Sequence, residues 1–215
     1  MPIVPPSFLF HYQFRVPQQT KLPKSGQALL NLPAECRIPV PSELDDRKAF
    51  ADVRLGWNRA GLGLSLTTRG RKKPVVDDPP EANRLEVLID TRDTRNVHRA
   101  TRFCRRFVFT WSDGGDDPVA NVAIEPISHA REVADGGDVS LALTRLKPQA
   151  DGYLLEVWLP EEVLPGYDIE ASRKIGFYYT LSDAELGEKT INVSAPEFPV
   201  GHDSSLWCTL ELVDA

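Results

Sequence analysis

The densest run of reactive side chains in this 215-residue chain is the segment Asp90 to Phe107, DTRDTRNVHRATRFCRRF, in which Arg92, Arg95, Arg99, Arg102, Arg105 and Arg106 accompany His98. Guanidinium groups are planar donor forks that match the oxygens of carboxylates, phosphates and vicinal hydroxyls. Carboxylates and flat rings stand in flanking segments: Glu86 upstream, and Glu156, Trp158 and Tyr178 downstream. Read with the two-residue period of a strand, Glu86, Asp90, Arg102, Cys104 and Arg106 fall on one sheet face. Glu156, Trp158 and Tyr178 are expected on strands that adjoin it. One reading of this mixed face is a ligand site in which charged groups bond hydroxyls and Trp158 supplies an apolar platform. The other is a set of cross-strand ion pairs, Glu86 with Arg102 or Arg106, that only steadies the sheet. Trp158 then packs beneath a loop, as most buried tryptophans do.

Other chemistries find less support. His11, His98, His129 and His202 form no H-E-x-x-H motif, and neither a G-x-S-x-G elbow nor a phosphate loop occurs. Cys104 with His98 is a conceivable nucleophile pair that lacks an orienting group. Glu86 with Glu156 is the one carboxylate pair considered for glycoside cleavage, which depends on a separation fixed only in space. Asp113, Asp116 and Asp117, and again Asp135 and Asp138, stand beside Gly-Gly pairs. They are either calcium ligands or ordinary turn residues, and neither stretch has EF-hand spacing. Cys36, Cys104 and Cys208 include no C-x-x-C pair, so a zinc site or disulfide framework is not expected. The expectation is a protein that is not an enzyme and needs no cofactor, calcium being the one alternative.

The elements that must position these residues are strands. Eighteen prolines and fourteen glycines punctuate short apolar stretches, the composition of a chain that turns often. Val53, Leu55 and Trp57 alternate up to the turn at Asn58 to Gly61, and Leu62, Leu64 and Leu66 alternate after it, which predicts a hairpin. Thr68 to Asn83, with Gly70, Pro74, Pro79 and Pro80, reads as a surface loop. Leu85, Val87 and Ile89 then face a core, as do Phe103, Phe107, Phe109 and Trp111. Val119 to Glu132 and Val139 to Leu146 alternate across a bend at Gly136-Gly137 and are expected to pair. Tyr153 to Pro160, Lys174 to Leu181 and Leu206 to Val213 complete the series, with a helical turn near 161–164. About ten strands without long helices predict an all-β, two-sheet antiparallel sandwich of jelly-roll or immunoglobulin-like type, residues 1–215 forming one domain. Within it, residues 1–43 read as a first strand, from Phe8, Phe10, Tyr12 and Phe14, followed by a proline-rich wrap.

The net charge of −6 and pI near 5.3 argue against a nucleic-acid partner. No apolar run is long enough for a membrane helix. Met1 to Phe14 lacks a cationic segment followed by an apolar one, so it does not read as a signal peptide. With three scattered cysteines, this gives the expectation of a soluble, cytoplasmic protein.

Three segments taken in order, VRLGWNRAGLGLSLT (53–67), RLEVLID (84–90) and GYLLEVWLPEEVLPGYDIEASRKIGFYYTLSD (152–183), resemble family 9 carbohydrate-binding modules and the wider DOMON-like sandwich group. The third carries most of the resemblance: Gly-Tyr, a strand ending at Glu-x-x-x-Pro, a short helical turn, then Ile-Gly-Phe and an aspartate. The tail HDSSLWCTLEL (202–212) is similar to the closing strand of such modules. The resemblance covers roughly residues 45–213. It implies a jelly-roll-like sandwich whose concave sheet takes sugar chain ends between two aromatic rings, with carboxylate and arginine side chains on the hydroxyls. Glu86 matches the family's sugar-contacting carboxylate, whereas the two aromatic places fall near Pro80 and Gly201. The expected function is a non-catalytic module binding a small polar ligand, carbohydrate foremost, through Glu86, Arg102, Arg106, Glu156, Trp158 and Tyr178. The alternative is a scaffold protein whose segment 92–106 docks an acidic partner.

Overall fold

A computed structural model of the protein describes residues 8, 10–24, 29–39, 41, 50–75, 78, 82–111, 120–193 and 198–214. Among the described residues eleven strands follow in chain order: β1 (Gln13–Pro17), β2 (Ala51–Asn58), β3 (Gly61–Thr68), β4 (Asn83–Asp90), β5 (Cys104–Trp111), β6 (Ala120–Glu125), β7 (Leu143–Gln149), β8 (Gly152–Pro160), β9 (Lys174–Asp183), β10 (Gly187–Thr190) and β11 (Cys208–Val213). Helix among the described residues is limited to single 3₁₀ turns, one of them at Glu161–Val163 as the sequence predicts. No helix of the described residues is long and apolar enough to cross a membrane.

The strands build two sheets. The larger has the order β1-β11-β9-β4-β5-β6 with β10 beside β9, and the smaller has β2-β3-β8-β7. Pairing is antiparallel except between β1 and β11, which run parallel. The sheets stack because each has one continuous apolar side. Leu85, Val87 and Ile89 of β4 and Phe107, Phe109 and Trp111 of β5 meet Val53, Leu55, Leu64, Leu66, Leu155 and Val157 of the smaller sheet in one core. Burying each such side chain contributes roughly 1.5–3 kcal/mol.

A second apolar cluster lies on the other side of the smaller sheet, where Leu22, Leu30, Leu32 and Cys36 lie over Trp158 and form an apolar wrap. Two glycines make room for it. Gly56 and Gly63 are register partners, and a Cβ on either would come within 2.8 Å and 3.1 Å of Leu32 and Leu30. The apolar wrap therefore sits on a shelf without side chains, and β3 and β8 are buried on both faces.

Two expectations are corrected here. Residues flanking Gly136-Gly137 do not form a hairpin: β6 ends at Glu125 in the larger sheet, and β7 begins at Leu143 in the smaller one. Pro126, which has no N–H to donate to a ladder, follows the last paired residue. The strand expected from Thr101 starts instead at Cys104, because Cys104 N–H closes a turn on the Thr101 carbonyl at 2.9 Å. Phe103 consequently leaves the core and lies half-buried, with the guanidiniums of Arg92 and Arg102 over its ring.

Candidate ligand-binding face

The outer face of the larger sheet carries a ring of alternating charges. Glu86 projects from the middle of β4, opposite Val108 of β5 and Thr180 of β9. Arg106 lies opposite Leu88 on one side and Glu125 of β6 on the other. Glu86 Oε2 accepts from Arg106 Nη2 at 2.8 Å, and Glu86 Oε1 accepts from Arg84 Nε at 2.9 Å. Arg84 Nη2 reaches Glu125 Oε2 at 3.1 Å, and Arg106 Nη2 stands 3.5 Å from the same oxygen. Two cations and two anions thus hold one another in place, half-exposed, with no net charge. The arrangement offers neighbouring donors and acceptors in fixed positions, the combination that vicinal hydroxyls use. Arg106 Nε makes no hydrogen bond, so the ring keeps an unused donor.

The six expected site residues separate into three groups. Glu86 and Arg106 come together as the sequence reading placed them. Tyr178 is on the same face beside Leu88, but it is buried, and its hydroxyl donates to the Val193 carbonyl at 2.8 Å. Burial raises its pKa well above the ordinary tyrosine range. Arg102 belongs to the turn before β5, exposed, with Glu132 as a 4.0 Å partner. It is off the face because strand parity stops at Cys104.

Glu156 and Trp158 are on β8 of the other sheet, and the expectation that they adjoin Glu86 is corrected. Trp158 is 3% exposed beneath the wrap. The Glu156 carboxylate accepts the backbone N–H groups of Leu29 at 2.9 Å, Leu30 at 3.0 Å and Asn31 at 2.7 Å. It anchors the wrap and has no route to Glu86, so these two carboxylates form no glycosidase pair.

The remaining candidates have structural partners. Asp90 accepts from the N–H groups of Arg92 and Thr94 and so shapes the turn after β4. His98 Nδ1 lies 3.0 Å from Ser205 Oγ and 3.3 Å from Asp203 Oδ2, and the Cys104 sulfur accepts from the Thr101 N–H at 3.4 Å. Burial pushes the Cys104 thiol up to about 12, and Cys208 likewise to about 12, which keeps both protonated at neutral pH. Asp113, Asp116 and Asp117 lie outside the described residues. Asp138 caps the Val139–Leu141 turn through the Ser140 N–H, and the Asp135 carbonyl accepts from Arg105. Among the described residues no group of three or more His, Cys, Asp or Glu side chains could hold a metal ion.

The arginines of 92–106 disperse rather than form one cationic surface. Arg95 bonds Asp93 and contacts His11 and Thr209, Arg99 donates to the His129 carbonyl, Arg105 is buried, and Arg106 belongs to the ring. Sequence reasoning missed Arg84 and Glu125. Arg84 is legible two residues before Glu86 on the same face, but Glu125 required the pairing of β6 with β5.

Solved structures that match this arrangement of strands include two complexes of carbohydrate-binding modules. A family 9 carbohydrate-binding module from Caldicellulosiruptor kristjanssonii in complex with cellotriose superposes with a TM-score of 0.60 at 15% identity, covering 94% of each chain. The complex of such a module from the same organism with glucose gives 0.61 at 14% identity, covering 94% of this chain and 96% of that one. The chain has the CBM9 fold. No family model matches the sequence, and no curated protein matches it. The likeness to CBM9 structures is thus carried by strand order and packing, which persist at an identity where sequence matching fails.

Proposed function

We propose that this chain is a non-catalytic carbohydrate-binding module that takes sugar hydroxyls on the Arg84, Glu86, Arg106 and Glu125 face. The observation that carries the reading is the closed ring of two guanidiniums and two carboxylates on a half-exposed sheet face. A ring of mutually oriented groups binds neutral polyols with little ordering cost, because the donors and acceptors are already positioned. The CBM9 fold supports it, since both matching structures hold cellotriose or glucose. The docking of an acidic protein partner is not favoured, given that the arginines of 92–106 are dispersed, with Arg105 buried, Arg106 in the ring and Arg95 and Arg99 bonded to Asp93 and the His129 carbonyl.

Titration calorimetry with glucose, cellobiose and cellotriose tests the reading. Wild type is expected to bind at least one with a Kd of about 1 mM or tighter, and Glu86→Gln or Arg106→Ala to weaken it by about tenfold or more. Absence of binding by the wild type at about 10 mM of all three sugars would sink the carbohydrate assignment.

A further inference from the structure

A second site lies where β5 outruns its neighbour. The last paired residue of β6, Glu125, is opposite Arg106, so Cys104 and Arg105 extend past the end of β6. From Pro126 the chain bends across this gap and encloses a hollow of about 160 Å³. Its walls are apolar, with Ala100, Ile124, Ile127, Ala130, Val133 and Ala134 prominent, and Arg105 and Arg106 both line it.

Arg105 is only 4% exposed, yet it forms no ion pair among the described residues. Its Nη2 donates to the carbonyls of Asp135 at 2.6 Å and Gly136 at 2.5 Å, and its Nε has no hydrogen-bond partner. Arg71, equally buried, shows the usual solution: it bonds Asp183 at 2.6 Å and Asp78 at 2.5 Å. A buried guanidinium without an anion is costly, because desolvation is not repaid by charge pairing. Burial accordingly pulls the pKa of Arg105 below the ordinary arginine value. Arg106, which also lines the hollow, likewise has a buried Nε without a hydrogen-bond partner. The acidic groups at the rim are already engaged, Glu125 with Arg84 and Arg106, and Glu132 with Arg102.

We infer that this hollow binds a small monocarboxylate with an apolar body, its carboxylate taken by Arg105 and its body by the aliphatic walls. A dry cavity of about this volume accommodates a benzene-sized group. Carboxylate oxygens match the planar N–H donors of a guanidinium. The hollow adjoins the proposed sugar face and shares Arg106 and Glu125 with it, but the inference rests on Arg105 and not on the carbohydrate reading.

The test is an NMR titration of the whole chain with benzoate, benzamide and glucuronate. Benzoate is expected to shift the amides of Ile124, Ile127 and Val133 and to bind about tenfold more tightly than benzamide, which lacks the charge. Glucuronate, whose hydroxyls find no partners on these walls, is expected to be weaker by about tenfold as well. Arg105→Met should cost benzoate about tenfold or more, and Ala134→Leu, which fills the hollow while keeping the arginine, should do the same. Should Arg105→Met not fold, Ala134→Leu carries the comparison. The inference is overturned by no response to benzoate at about 50 mM, by equal binding of benzamide or glucuronate, or by benzoate binding that survives the substitutions.

Discussion

The outer faces of the two sheets each carry a mid-strand glutamate, and the two glutamates end in opposite roles. Glu86 on β4 and Glu156 on β8 each sit mid-strand on the side away from the common core. Glu86 meets two arginines and solvent, whereas Glu156 meets three backbone N–H groups under a covering segment. The difference comes from Gly56 and Gly63, which leave the smaller sheet flat enough for leucines to settle on it. On the larger sheet the corresponding rows hold Glu86, Arg106 and Thr180, whose polar ends resist such a cover. A strand's period assigns a side chain to a side, and the neighbouring rows decide whether that side stays open.

The largest effect is expected on the covered face. Trp158→Ala removes the ring on which Leu22, Leu30 and Leu32 pack and should lower stability by about 3–5 kcal/mol, read by urea denaturation. Glu156→Gln comes next: a neutral amide retains only one oxygen for three N–H donors, at a cost of about 2–3 kcal/mol. A loss below about 1 kcal/mol in either variant would mean that the wrap is not a structural cover, and the contrast between the faces would fail.

The open face should respond the other way. Glu86→Ala interrupts half-exposed ion pairs and is expected to cost less than about 1 kcal/mol, an amount that shrinks further in high salt. On the proposed function, its effect is expected in sugar titrations rather than in stability. If denaturation shows Glu86→Ala to be as damaging as Glu156→Gln, the ring is a structural brace, and the ion-pair reading of this face replaces the ligand reading.

The same contrast explains what the sequence revealed. The sandwich was legible because alternation such as Leu85, Val87, Ile89 or Leu62, Leu64, Leu66 follows from one-sided burial, which is local. Glu86 and Arg106 could be placed on one face by parity alone, since both lie inside uninterrupted strands. Arg102 could not, because a turn closed by Cys104 N–H breaks the count two residues later. Trp158 and Glu156 were assigned to the wrong neighbourhood for a different reason: sheet membership depends on which strands pair, and β8 pairs with β3 and β7 rather than with β4. The cover itself, Leu22 with Leu30, Leu32 and Cys36, has no periodicity to read, so its partners are known only in space. Glu125 shows the same limit on a smaller scale.

The smallest expected effect lies at the edge of the larger sheet, just before β1, where the N-terminal chain leads toward the wrap. His11 Nε2 is 3.2 Å from Thr209 Oγ1 and contacts the Arg95 guanidinium. Burial first, and the positive charge of Arg95 second, lower its pKa from the ordinary value of 6.5, with Asp93 acting in the opposite sense. The unfolded chain therefore takes up a proton at higher pH than the folded one. Above the ordinary histidine value both states are neutral and the residue has no effect on stability. As the pH falls below that value the unfolded state gains the proton first, so stability is lost progressively until the folded-state pKa is passed. Thermal melts at pH 7 and pH 5 should show a smaller decrease for His11→Asn than for wild type. An unchanged decrease would place the acid sensitivity elsewhere and leave this edge indifferent to protonation.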